Sequence, residues 1–298
     1  MTKKKDKQRT LFILCFLLPP VLLYAILYVW PFIYAFFISL FTWSGYSADM
    51  TFCGLDNYRQ AFADPIVWKA CLHNLFFLVF CTIVTLALSM FFAVCFTRLK
   101  MKSSGFFRII YFFPNTLSII VVGVLWTFIY NPNFGLLKGI METLGLGDWV
   151  VNWLGDKRYV LGALVAPQAW MYIGFYLVLF IAAIQNIPED YYESATLEGA
   201  GQIRQFFSIT LPLMWGTFRI ALVHLVANAF EKTFAIVHIV TKGGPSHASE
   251  VLTTYLYSQA FQYGRFGYGS TIGVILFVIV AVISLTIYRV TRRDAIEF

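Results

Sequence analysis

Ala70–Thr97 reads ACLHNLFFLVFCTIVTLALSMFFAVCFT, without one Lys, Arg, Asp or Glu. About 20 residues of helix cross the hydrocarbon core of a bilayer. A helix of this length folded in water would carry a polar face, and this run has almost none. Leu11–Phe41, Ile109–Leu137, Tyr159–Pro188 and Phe266–Tyr288 are equally free of charge. Leu211–Val240 is apolar but interrupted by Arg219, His224, Glu231 and Lys232. Charges inside a span are costly and face a bundle interior or a cavity. The expected fold class is therefore all-α integral membrane, with six transmembrane helices at about 11–40, 71–97, 107–130, 159–185, 213–238 and 268–290. Composition agrees. Of 298 residues, 59% are hydrophobic and 12% charged, against about 25% charged in a soluble domain.

The net charge of +7 is no sign of nucleic acid, because the positive residues sit at span ends. Lys3, Lys4, Lys5, Lys7 and Arg9 precede the first span, Arg98, Lys100, Lys102 and Arg108 fill the link after the second, and Arg289, Arg292 and Arg293 follow the sixth. The positive-inside rule makes these segments cytoplasmic. Both termini are then cytoplasmic, with residues 1–10 a basic tail and 11–298 a single six-span domain. The first apolar stretch is too long for a cleaved signal peptide and reads as an uncleaved anchor. The outer links, 42–69, 131–158 and 241–265, mix both signs of charge. Cys15, Cys71, Cys81 and Cys95 lie in apolar segments and Cys53 stands alone, so no disulfide framework is expected. No His/Cys set has metal-ligand spacing. A phosphate-binding GxxxxGK[ST] loop is missing, since Met101 and Glu231 precede Lys102-Ser103 and Lys232-Thr233. This chain does not bind ATP by that route.

One inner link breaks the charge rule. Pro188–Pro212, PEDYYESATLEGAGQIRQFFSITLP, carries Glu189, Asp190, Glu193 and Glu198 against Arg204. Pro188 suits a first helical turn, and the two acids after it complement the helix dipole. Gly199 and Gly201 break that helix. A second short helix follows, with Phe206, Phe207, Ile209 and Leu211 on its apolar side, and Pro212 is expected to open the fifth span. An ordinary amphipathic loop would be basic beside lipid headgroups. Here acids and the small residues Ser194, Ala195, Gly199 and Ala200 favour close contact with another protein.

Glu193-Ser194-Ala195, Gly199, Ile209 and Leu211-Pro212 resemble the EAA motif, EAA-x3-G-x9-I-x-LP, with Ser194 at its second position in place of Ala and Glu198 where an Asp is frequent. That motif marks permease subunits of binding-protein-dependent ABC importers. Phe113-Pro114 with Trp126 and Asn131-Pro132, Thr241-Lys242-Gly243-Gly244-Pro245, and Ala260–Tyr268 are similar to the carbohydrate-type, MalF/UgpA-like branch. The Gly243-Gly244-Pro245 step reads equally as a tight outer turn needing positive φ. The resemblance covers nearly the whole chain. It implies the type I importer permease fold and alternating access in a prokaryotic cytoplasmic membrane. It implies a second homologous permease subunit, two copies of an ATPase subunit that binds ATP and Mg, and an extracellular or periplasmic solute-binding protein. Residues 188–212 would be the hairpin that couples to the ATPase. No cofactor and no catalytic residue are expected on this chain.

A sugar pathway needs hydrogen-bonding groups and aromatic faces near mid-membrane. Candidates are Asn115, Thr116 and Ser118 on the third span, Gln168, Trp170 and Tyr172 on the fourth, and Asn228, Glu231, Lys232 and Thr233 on the fifth. Asn228 shares a helix face with Glu231 and Lys232. Singly, each reads as well as packing glue between helices. A competing reading is an intramembrane lipid-modifying enzyme, with Glu193 and Glu198 as catalytic acids, but no His, metal set or nucleophile stands beside them in sequence.

Overall fold

A computed structural model describes residues 2–98 and 104–290, with side chains described over 11–98, 105–230 and 232–290. The side chains of the basic tail, Lys100, Lys102, Arg292, Arg293 and that of Glu231 lie outside the described residues. Among the described residues four helices are long and apolar enough to cross a membrane: Leu11–Ile38, Pro65–Arg98, Val160–Gln185 and Phe266–Val290. Two further stretches reach that standard only as bent pairs, Gly105–Thr116 with Ile119–Ile129 at 104° and Gln202–Leu213 with Trp215–Phe230 at 72°. Counting each pair as one span makes six.

The chain forms two compact units. The first takes the residues up to Asp64 together with Leu256–Phe277. It holds α1 (Thr2–Tyr24), a π-helical turn (Ala25–Val29), α2 (Trp30–Ile38), the antiparallel two-residue strands β1 (Phe41–Thr42) and β2 (Thr51–Phe52), and α3 (Asp56–Ala63). Buried Asn57 on α3 donates to the carbonyls of Ser39 and Phe41, both at 3.0 Å, which holds the chain where it leaves α2. In the same unit Tyr268 donates to Asp64 at 2.8 Å and Thr271 to the Ser39 carbonyl at 3.1 Å. A side chain at Gly267 would overlap the Phe41 carbonyl, so the backbones there approach as only glycine allows.

The second unit takes Pro65–Tyr255 and the segment from Val278. Its helices are α4 (Pro65–Arg98), α5 (Ser104–Thr116), α6 (Ile119–Ile129), α7 (Leu136–Thr143), α8 (Val160–Gln185), α9 (Glu189–Leu197), α10 (Gln202–Gln205), α11 (Leu211–Leu213) and α12 (Trp215–Val240). In chain order there follow α13 (Leu252–Tyr257), a π-helical turn (Ser258–Gln262) that belongs to the first unit, and α14 (Phe266–Val290), which the first unit takes up to Phe277. The core is built where α4, α8 and α12 meet. One cluster joins Leu86, Met90 and Phe96 to Tyr176, Phe180 and Leu225. A second joins Phe77 and Cys81 to Leu164, Ile236 and Val237. Within the first, Ser89 donates to the Ile173 carbonyl at 2.8 Å, a polar tie of the kind that holds helices together where the apolar effect is weak. α5 crosses α8 at Gly174, where an added Cβ would lie 2.6 Å from the Phe112 Cα and overlap the Tyr111 carbonyl.

The third span, expected to be continuous with Pro114 inside it, is broken. Pro114 offers no N–H to the preceding turn. Four residues later Ser118 is extended (φ −61°, ψ 139°), and its hydroxyl accepts from Ile120 N at 3.3 Å. Ser118 thus caps a new helix, and α6 leaves at 104° to α5. Proline also explains two π-helical turns. Ala25–Val29 ends just before Pro31, and Phe206–Thr210 just before Pro212. A proline ring strikes the carbonyl four residues back, which falls inside the widened turn in both cases. Pro212 therefore closes the inner segment rather than opening the fifth span. α12 begins after Met214, which is 2% exposed at the bend.

In the link between α7 and α8, Asp156 accepts from the Arg158 guanidinium at 2.7 Å and from its backbone N–H at 2.8 Å. These hydrogen bonds hold the carboxyl at about 2.

Candidate functional site

The hairpin between α8 and α12 is built from the residues of the spaced motif. α9 starts after Pro188 with Glu189 and Asp190 in its first turn. It ends in a Schellman closure. Gly199 has φ +80°, its N–H bonds to the Thr196 carbonyl at 3.0 Å, and the Ala200 N–H bonds to the Ala195 carbonyl at 2.9 Å. That closure requires a left-handed residue just past the helix end. Space is open around the Gly199 Cα, so its φ alone demands glycine.

Beneath the turn lies a buried polar scaffold. The Tyr192 ring is 2% exposed and its hydroxyl meets that of Thr210 at 3.0 Å. Gln205 donates to the Thr196 hydroxyl at 3.0 Å and to the Ala200 carbonyl at 2.9 Å. Arg98, at the end of α4, lies 3.6 Å over the Tyr192 ring and pairs with Glu189 at 2.9 Å. A polar cavity of about 280 Å³ sits among these residues. Glu193, Ser194, Glu198 and Gly199 face outward, as does Leu197, which is 90% exposed. The hairpin therefore holds its shape from behind and leaves its tip uncovered. On the return, Ile203, Phe206, Phe207 and Leu211 line an apolar cavity of about 730 Å³ with α4 and α12.

The pathway candidates separate. Gln168 and Thr233, 5% and 1% exposed, meet each other across α8 and α12, with Gln168 Nε2 donating to Thr233 Oγ1 at 3.3 Å. This buried contact ties α8 to α12. Lys232 places its ammonium 3.6 Å over the Tyr172 ring. Trp170 meets Trp126 edge-on at 6.0 Å. Asn228 turns onto its own helix and donates to the His224 carbonyl at 2.7 Å, while Tyr176 and His224 meet at 3.0 Å. Asn115, Thr116 and Ser118 stand at the break of the third span. Thr116 and Ser118 bond their own backbone neighbourhood, Thr116 to the Phe113 carbonyl and Ser118 as the cap of α6.

The loop after α12 is built around the carboxylate of Glu250, a residue 5% exposed. It takes His247 Nδ1 at 2.8 Å and the Thr254 hydroxyl at 2.6 Å. Gly243 has φ +84°, and any side chain there would overlap that carboxylate. Gly244 precedes Pro245 through a cis peptide, and its carbonyl accepts from Ser249 Oγ.

The Binding-protein-dependent transport system inner membrane component family matches residues 85–294. The chain belongs to that family. A probable ABC transporter permease, YurN of Bacillus subtilis, is 37% identical over 91% of this chain and 92% of its own length. The diacetylchitobiose uptake permease NgcF of Streptomyces coelicolor is 34% identical over 97% of this chain and 85% of its own. The sn-glycerol-3-phosphate permease UgpA of Agrobacterium fabrum is 30% identical over 92% of each chain. A bacterial ABC transporter involved in import of the acidic polysaccharide alginate superposes with TM-score 0.81, at 21% identity, over 98% of this chain and 99% of that one. A related structure is a complex with an alginate-bound periplasmic protein.

The permease is thus a multi-pass transport subunit with the type I importer fold, and the lipid-modifying reading finds no support. Among the described residues no group of three or more His, Cys, Asp or Glu could hold a metal. Sequence reasoning about the permease missed Arg98, Tyr192, Gln205 and Thr210 behind the hairpin, and His73, Asn74 and Glu250 at the outer loop. These are scattered polar residues whose spacings form no motif. The exposed Leu197 was legible in principle, as an apolar residue in an otherwise polar turn.

Proposed function

We propose that this permease is one of two homologous membrane subunits of an importer for a sugar or related carbohydrate, working by alternating access. ATP and Mg bind on a separate ATPase subunit present in two copies, and a solute-binding protein delivers substrate from outside. Residues 11–298 form one six-span domain after the basic tail 1–10, with both termini in the cytoplasm of a prokaryote. Residues 188–212 dock on the ATPase through Glu193, Ser194, Ala195, Leu197, Glu198, Gly199 and Ala200, while Ile209, Leu211 and Pro212 anchor the return to α12.

The observation that carries this reading is the hairpin itself: a Schellman-closed turn, braced from behind by Tyr192, Thr210 and Gln205, with an acidic and apolar tip left exposed. The charge pattern supports its cytoplasmic placement. The named substrates of the relatives, diacetylchitobiose and sn-glycerol-3-phosphate, support the carbohydrate class. The pathway lies at the break of the third span, beside Asn115 and Ser118, with Trp170, Tyr172, Asn228, Glu231 and Lys232 on the facing helices and Gln168 and Thr233 bracing them. Irregular backbone at membrane depth is tolerated where it lines a cavity or is buried in protein. Gly243, Gly244 and Pro245 shape the outer loop that faces the binding protein.

The test is uptake in cells carrying the whole importer. Glu193→Lys is expected to abolish uptake while the protein inserts and accumulates normally. Undiminished uptake would remove the hairpin from the coupling role.

A further inference from the structure

We propose that α4 is a strut joining the hairpin 188–212 to the outer loop 241–252, with Arg98 at its end and Asn74, nine residues in from Pro65, as the positioning residues. The proposal rests on the reading of the hairpin as the ATPase-docking element. α4 is the longest helix of the second unit, 34 residues from Pro65 to Arg98. At 1.5 Å per residue it is about 50 Å long. It is tied to loops at its Arg98 end and at His73 and Asn74, rather than only packed against helices.

At one end, Arg98 grips the hairpin twice, through the Tyr192 ring at 3.6 Å and the Glu189 carboxylate at 2.9 Å. Tyr192 is buried and passes the grip to Thr210 on the return limb. Thus α9, the return limb and α4 share one anchor. Toward the other end, Asn74 is 3% exposed and its Oδ1 accepts the Leu252 N–H at 2.8 Å. One residue before it, His73 Nδ1 donates to the Glu250 carbonyl at 2.8 Å. These bonds seize the loop at the residue around which it is built, since the Glu250 side chain holds His247 and Thr254.

The two anchors lie about 36 Å apart along the helix axis, from the rise per residue. The body between them is held along α8 by the clusters through Phe77, Cys81, Leu86, Met90 and Phe96. A packed helix of that kind moves as a unit, and a contiguous chain of packed and hydrogen-bonded groups is what carries coupling over such distances. Displacement of the hairpin by the ATPase is then felt at the outer loop through α4, in addition to the covalent routes through α8 and α12.

The test uses the assembled importer in nanodiscs, with a cysteine-free permease carrying Ser246→Cys labelled by an environment-sensitive fluorophore. Ser246 is exposed in the outer loop. The probe at the other face is ADP·vanadate, which traps the ATPase subunits. Trapping is expected to change the fluorescence of the parent protein. Arg98→Ala and Asn74→Ala should each cut that change at least fivefold, and Asn74→Ala should leave basal ATP hydrolysis within twofold. Arg98→Lys, which keeps the cation over Tyr192, should recover at least half of it. Glu189→Gln, which keeps the shape and removes the charge, should lose less than Arg98→Ala.

A parent protein whose outer loop does not respond overturns the strut. So does a full response in both alanine variants, or a loss that Arg98→Lys does not relieve. Glu193→Lys separates the underlying reading. If it still captures the ATPase subunit at the parent's yield, the docking reading fails. If capture falls while Arg98→Ala keeps its full signal, docking stands and the strut alone is wrong.

Discussion

Two glycines carry the most at the scale of single residues, for opposite reasons. Gly199 has room for a side chain but a left-handed φ of +80°. Gly174 has ordinary helical backbone and no room. Gly199→Ala forces an L-residue into the left-handed region, a strain of about 1–2 kcal/mol. The expected result is a permease that inserts and assembles but transports fewer molecules per ATP hydrolysed, measured as the ratio of uptake to hydrolysis in proteoliposomes. Gly199→Asn should retain more of that ratio, because Asn tolerates the conformation. Gly174→Val drives a methyl group into the Tyr111–Phe112 backbone. Overpacking of this kind costs about 1–3 kcal/mol, and a lower unfolding temperature in detergent is the expected reading. The spaced motif marks Gly199 in the sequence. Nothing in the sequence distinguishes Gly174 from Gly162 on the same helix, where an added Cβ meets open space.

Elements in this protein are divided by proline and by small polar caps. The break in the third span falls at Ser118, whose hydroxyl caps α6, four residues past Pro114 in the last turn of α5. Loss of an N-cap side chain costs about 1 kcal/mol. Ser118→Ala should therefore raise hydrogen exchange in the first turn of α6 by about fivefold, read at Ile120 by mass spectrometry. If exchange there is unchanged, the break is held by packing rather than by the cap. At the hairpin return, Pro212→Ala restores the donor that the widened turn Phe206–Thr210 lacks. The turn should then regularise toward α-helix, detected as a shift in the spin-label distance between Ile203 and Gly216. Both prolines were visible in the sequence, Pro114 as a residue inside a continuous third span and Pro212 as the start of the fifth. Where the irregularity fell was not visible, because a proline perturbs the turn before it while the bend appears where a neighbouring helix accommodates the redirected chain.

At the scale of the whole molecule, the proposed function makes the permease the part of an assembly that supplies a pathway and a coupling device. Its hairpin exposes Leu197 almost fully, in a segment otherwise polar at its tip. A large apolar side chain held out this way gains most when a partner covers it. Leu197→Asp should lower capture of the ATPase subunit by tenfold or more, equivalent to about 1.4 kcal/mol, with no change in the permease's own thermal unfolding. Unaltered capture would place the contact elsewhere on the hairpin.

The sequence alone determined that this is a helical membrane protein, that its inner link 188–212 departs from the charge rule, and which residues of that link are spaced as a family motif. Each of these is a property of consecutive residues: hydrocarbon thickness sets the length of an apolar run, and helix-ending chemistry sets where a glycine must stand. The tertiary structure alone decided that Gln168 is spent on Thr233, that Lys232 lies over Tyr172, and that Arg98 reaches across 91 positions to Glu189. Those pairings join residues far apart in the chain. The packing of α4, α8 and α12 brings them within reach, and the spacing along any one helix contains no record of it.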